Sequence, residues 1–150
     1  MNKQIFIVAE IGINHNGDMS ICKDLIDVAK NAGCNAVKLQ KRDINRVYSK
    51  NMLDSLRESP WGTTQREQKE GLEFNKEQYV EIDEYCAEKG IDWFASAWDT
   101  NSQEFLRYFD CKYNKIASAM IVHQELLKMV ADERKYTFIL SFNSAFIGTF

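Results

Sequence analysis

The sequence predicts an α/β fold of parallel strands: an incomplete TIM (β/α) barrel holding about five of the eight strands that such a barrel requires. Three observations predict it. Short apolar runs begin near residues 5, 36, 91, 113 and 137, and stretches of helical period separate most of them. Four runs lead into polar clusters: Glu10 after IFIVA, Lys38 and Gln40 in AVKLQ, Ser96 to Asp99 in WFASAWD, and Lys115 to Ser118 in NKIAS. Parallel α/β folds place their chemistry at the carboxyl ends of the strands, so four polar strand ends imply one shared rim.

The first strand is expected over residues 5–9, followed by the turn-rich GINHNGD segment. Asp18 is placed to cap a helix with Ile21, Leu25, Val28, Ala29 and Ala32 on one face, and Gly33 to stop it. In the second strand, 36–40, Val37 and Leu39 point one way while Lys38 and Gln40 point the other. Residues 41–75 are polar, carry the only proline (Pro60) and show no sustained period, which predicts a long loop. A helix over 76–89 buries Tyr79, Ile82 and Cys86 and ends at Gly90, ahead of a third strand at 91–96. Asn101 or Ser102 caps a short helix burying Phe105, Leu106 and Phe109, and the fourth strand follows at 113–117. A last helix buries Leu126, Leu127, Val130 and Ala131 before a fifth strand at 137–140.

No G-x-G-x-x-G follows the first strand, which favours a barrel over a dinucleotide-binding sheet. Five strands do not close a barrel, so the sequence reads as the first part of a longer domain. Its 150 residues, 45% of them hydrophobic, suffice for one core. A net charge of -3 argues against a nucleic-acid partner but leaves small anions open. Cys22, Cys34, Cys86 and Cys111 form no CxxC pair, so buried free thiols are expected rather than a zinc ribbon or a redox dithiol. No apolar run reaches the roughly 18 to 20 residues that span a bilayer, and Glu10 interrupts any secretory signal. These features predict a reduced, cytoplasmic protein with no membrane partner.

Among the candidate residues, Lys38 carries the strongest signal. A lysine inside an apolar strand must keep its ammonium solvated or paired, either by an anionic ligand or by a structural partner such as Glu10. Lys115 repeats the pattern on another strand, and two converging ammonium groups suit one phosphate or carboxylate. Ser96 and Ser118 offer hydroxyl donors to the same anion, though serine is common at strand ends. Glu10 either meets substrate hydroxyls and a transferable proton or caps loop amides, and Gln40 shares the face of Lys38. His15 reads as a turn residue more than an acid or base, Asp99 as a ligand contact or a helix cap, and Arg42 as an exposed loop cation. The three tryptophans read as packing groups.

The segments AEIGINHNGD, AVKLQKR, WFASAWD and NKIASAM, in that order, resemble the N-terminal half of the sialic acid synthase family over roughly residues 5 to 141. That family comprises the N-acetylneuraminate synthases and their legionaminic and pseudaminic relatives. The resemblance implies that residues 1–150 are the N-terminal part of a (β/α)8 barrel synthase domain, with 142–150 a divergent tail. It implies condensation of phosphoenolpyruvate with an N-acetylhexosamine such as N-acetylmannosamine, giving a nonulosonate and phosphate with help from manganese or magnesium. Under it, Lys38 and Lys115 look like phosphoenolpyruvate ligands with Ser118 and Ser141 as partners, and Glu10 and Gln40 look like contacts to the amino sugar. The family's metal-binding histidines have no counterpart by motif, since His15 and His123 do not replace them. Met120 departs from relatives that carry glutamate there. The 150-residue form is therefore expected to be inactive alone; the alternative is a non-catalytic half-barrel that acts only by associating with itself, as a homo-oligomer, or with a partner.

Overall fold

The computed structural model describes residues 5–139. Ser141 and the segment 142–150 lie outside the described residues. The chain runs β1 (Val8–Gly12), α1 (Met19–Asn31), β2 (Ala36–Lys41), α2 (Ile44–Val47), α3 (Lys50–Leu53), β3 (Leu56–Ser59) and β4 (Gly62–Thr64). It continues through α4 (Gln65–Gly71), α5 (Lys76–Lys89), β5 (Asp92–Ala97), α6 (Thr100–Arg107) and β6 (Tyr113–Ile116), then a 3-10 turn at Ser118–Met120, α7 (Gln124–Asp132) and β7 (Tyr136–Ile139). Five strands pair in the order β1-β2-β5-β6-β7, every pair parallel, with helical crossovers between them. This is the partial barrel that the apolar runs predict.

Register and alternation together sort the side chains onto two faces. Val37, Leu39, Trp93, Ala95, Ala97 and Ile116 face the helices and join one core with Ile26, Tyr79, Ile82, Cys86, Leu126 and Val130. Each large aliphatic group there contributes about 1.5–3 kcal/mol by leaving water. On the other face Glu10 stands opposite Lys38, Gln40 opposite Ser96, and Ser96 opposite Lys115. Phe6, Phe94, Tyr113 and Phe138 occupy the same concave face, with Phe6 and Tyr113 centroids 5.2 Å apart and Phe94 stacked on Phe138 at 5.4 Å. An apolar layer thus supports the stems of a polar one.

Several elements differ from expectation. The first strand is shifted to Val8–Gly12, although Asn35 N–H already donates to the Ile7 carbonyl. Asp18 caps α1 through Ser20 and Ile21 amides, but the buried face is Cys22, Ile26 and Ala29, leaving Ile21 and Val28 exposed. Cys22, Ile26 and Ala29 pack into the core, while beside α5 Lys23 pairs with Glu81, and Asp27 with Lys89 and Tyr85. Residues 41–75 are not one loop but three short helices and an antiparallel hairpin. Elements of three to seven residues are too short to show a period, and their signals are local: Thr64 and Glu67 form a reciprocal capping box at α4. The helix at 100–107 is capped by Asp99, one turn earlier than Ser102 would place it.

Among the described residues β1 and β7 form the sheet's edges; Ile5, just before β1, is 78% exposed, and Tyr136 in β7 is 83% exposed. No helix among the described residues is long and apolar enough to cross a membrane.

Candidate functional site

A cleft of about 450 Å³ opens at the carboxyl ends of the strands, on the concave face. Glu10, Lys38, Gln40, Ser96, Lys115 and Ser118 all line it. Four strands or their exits deliver these groups, because parallel pairing aligns the strand ends and alternation turns every second side chain inward. Of the site residues expected from sequence, only Ser141 falls outside the described residues.

Lys38 Nζ stands 3.1 Å from Glu10 Oε2, with the lysine side chain 8% exposed and the carboxylate 57%. The structural partner that the sequence left open is therefore present, yet the pair is lopsided. The exposed carboxylate can turn into water at little cost, whereas the buried ammonium must keep a counter-charge. Burial holds the Lys115 ammonium below the usual lysine value; Glu10 pulls it up and Lys38 pushes it down. Two ammonium groups facing one carboxylate leave the cleft with a net positive charge, and Ser96 and Ser118 add hydroxyl donors. That arrangement suits a compact anion.

The remaining candidates have structural duties. His15 is buried, stacked on Phe74 at 4.0 Å between centroids, and its Nδ1 accepts from the Gly17 N–H. Burial lowers it to about 4, so at neutral pH it acts as uncharged scaffolding for the loop after β1. Asp99 accepts from Ser102 N–H and Oγ–H and from the Asp43 N–H, capping α6 and tying it to the loop after β2. Arg42 is not an exposed cation: it is buried, its Nε donates to Glu73 Oε1 at 2.6 Å, and its Nη1 donates to the Tyr48 hydroxyl. Lys41 Nζ lies 3.7 Å from the same glutamate. Burial pushes the thiols of Cys22, Cys86 and Cys111 up to about 12, in keeping with unreactive free cysteines.

Trp98, which reads from sequence as a packing group, lines the cleft, and its buried Nε1 has no hydrogen-bond partner among the described residues. Its signal was the alternation itself, since Trp98 lies two residues beyond Ser96. Val8 and Ala117 complete the lining. Among the described residues, no group of three or more His, Cys, Asp or Glu side chains is placed to hold a metal ion.

The sequence model of the NeuB family matches residues 25–148. The chain belongs to the NeuB family. It is 40% identical over 130 residues to the N-acetylneuraminate-9-phosphate synthase of Drosophila melanogaster, covering 85% of this chain and 35% of that protein. Against the N,N'-diacetyllegionaminic acid synthase of Legionella pneumophila it is 33% identical, covering 86% and 37%. Its fold superposes on the N-acetylneuraminic acid (sialic acid) synthetase of Leptospira borgpetersenii, crystallised with citrate, with a TM-score of 0.80 and 27% identity. That alignment covers 96% of this chain and 47% of the crystallised one. This NeuB-family chain thus spans about a third to a half of the length of these relatives. The parallel five-stranded sheet corresponds to part of their TIM-barrel-like fold.

Proposed function

We propose that this chain carries the phosphoenolpyruvate-binding rim of a sialic-acid-type synthase, which joins that enol ester to an N-acetylated amino sugar such as N-acetylmannosamine. One observation carries the reading: Lys38 and Lys115, from different strands, line one cleft with hydroxyl donors beside them. Phosphoenolpyruvate bears a phosphate and a carboxylate, so two ammonium groups offset more of its charge than one would. Ser118 and Ser96 donate to its oxygens, and Ser141 is assigned the same role by resemblance. Glu10 and Gln40, which line the same cleft, hold the sugar, and Glu10 moves a proton at its hydroxyl or aldehyde oxygen.

In the reaction, C3 of the enol attacks the sugar aldehyde and cationic character develops at C2. Water adds at C2, and the resulting tetrahedral centre expels phosphate by breaking the carbon–oxygen bond. The lysine pair stabilises negative charge on the leaving phosphate throughout. In whole family members a divalent manganese or magnesium ion would supply Lewis acidity. The described residues offer no ligand set for such an ion.

Calorimetric titration of the chain with phosphoenolpyruvate tests the reading. Binding is expected to weaken by tenfold or more in Lys38→Ala and in Lys115→Ala, since a hydrogen bond to a charged group is worth about 1.5–3 kcal/mol. Equal affinity in the parent and both variants would refute it.

A further inference from the structure

The two ammonium groups of the cleft are not equally served. Among the described residues Lys38 has one ion-pair partner, Glu10 at 3.1 Å, while Lys115 has none and feels Glu10 only through space. No other acidic side chain of the described residues lines the cleft. Glu10 therefore occupies the same ammonium that the proposed reading gives to phosphoenolpyruvate.

The backbone leaves that carboxylate room to move. Glu10 lies on β1, an edge strand among the described residues, so a neighbouring strand flanks it on one side only. The pairing of β1 with β2 shifts register between Glu10 and Gly12, and Gly12 takes a left-handed φ of 57°, which glycine adopts readily. Such an irregularity at a strand end re-aims the adjacent side chain. The result is a carboxylate 57% exposed beside an ammonium 8% exposed. Turning away costs Glu10 little, because water replaces the ammonium, whereas Lys38 cannot be left bare. Whatever draws Glu10 off must bring its own negative charge to Lys38, and phosphoenolpyruvate does.

We infer that Glu10 is the resident counter-ion of the cleft: it holds Lys38 until phosphoenolpyruvate takes over the ammonium, and the displacement releases its carboxylate to accept a hydrogen bond from the amino sugar. The inference rests on the proposed reading of the cleft, and it makes the two ligands cooperative. A sugar that arrives first must break the Glu10–Lys38 pair unaided; one that arrives second finds the carboxylate free. Such coupling is reciprocal, so each ligand tightens the other by the same factor. A carboxylate that stayed on Lys38 with the ester bound would give no coupling of this kind.

Calorimetry on the 150-residue chain tests it. Phosphoenolpyruvate and N-acetylmannosamine are each titrated alone and with the other in excess, in the parent, Glu10→Gln and Glu10→Asp. Glutamine removes the charge that competes for Lys38, so the ester alone should bind at least about threefold more tightly than to the parent. In the parent each ligand should tighten the other by about threefold or more, and in Glu10→Gln that coupling should vanish. Glu10→Asp keeps the charge but reaches Lys38 less closely, so it should lie between the two and carries the test if the glutamine variant folds poorly. Ester binding to Glu10→Gln that is equal to or weaker than binding to the parent overturns the inference. So does coupling that is absent from the parent, including the case in which the sugar binds in neither condition, or that Glu10→Gln retains in full. Each of these outcomes leaves the two-lysine reading standing if Lys38→Ala and Lys115→Ala still weaken ester binding. Failure of the parent to bind phosphoenolpyruvate removes that reading and this inference with it.

Discussion

Acid should destabilise this protein through His15, and the size of the effect follows from its surroundings. The ring is 2% exposed, stacks on Phe74 and accepts the Gly17 N–H, so burial and, less strongly, Arg42 lower its proton affinity from 6.5 to about 4. In the unfolded chain the same ring takes up a proton near 6.5. Between those two values the unfolded state binds more protons, so stability falls as pH falls through that window and is unaffected above it. At about 1.4 kcal/mol per tenfold difference in proton affinity, the loss reaches about 2 kcal/mol by pH 5 and about 3 kcal/mol below pH 4. Urea unfolding followed by circular dichroism at pH 7.5 and pH 5 measures it, in the parent and in His15→Gln. With a slope near 2 kcal/mol per molar urea, the parent midpoint should drop by about 1 M more than that of the variant. The variant removes the histidine's titration and retains that of every carboxylate, so the difference isolates His15. An equal drop in both proteins would refute the argument.

Glu73→Ala strands the buried Arg42 and Lys41 without their shared counter-charge and should cost about 3–5 kcal/mol, read as a lower urea midpoint. A loss under about 1 kcal/mol would show that the cations find another partner. The exposed apolar edges at β1 and β7 predict self-association of the isolated chain at micromolar concentration. Size-exclusion chromatography with light scattering checks this, and a monomer persisting at high concentration would contradict it.

Much of the fold was legible because strand chemistry is local. Val37 and Leu39 alternate with Lys38 and Gln40, and that period by itself separates a helix-facing side from a concave one. The α5 stripe of Tyr79, Ile82 and Cys86 and its Gly90 stop were equally plain, and Gly90 does take the left-handed conformation. The convergence of the candidate residues on one cleft was legible for the same reason: polar groups at apolar strand ends are costly unless they share a solvated rim. The segment 41–75 resisted because its helices and hairpin are held by caps and contacts rather than by a hydrophobic period.

The amino-acid order by itself determined which side chains each strand could turn inward, since alternation is a property of the backbone. Only the tertiary structure decided which of them meet: that Glu10 stands 3.1 Å from Lys38, and that Lys115 shares their cleft. It likewise decided that Arg42, which reads as a loop cation, is sealed against Glu73, and that Asp99 is a tie between α6 and the loop after β2. Register between strands and burial of loop charges depend on partners distant in sequence, such as Ala36 with Asp92 and Arg42 with Glu73, and no local pattern encodes those pairings.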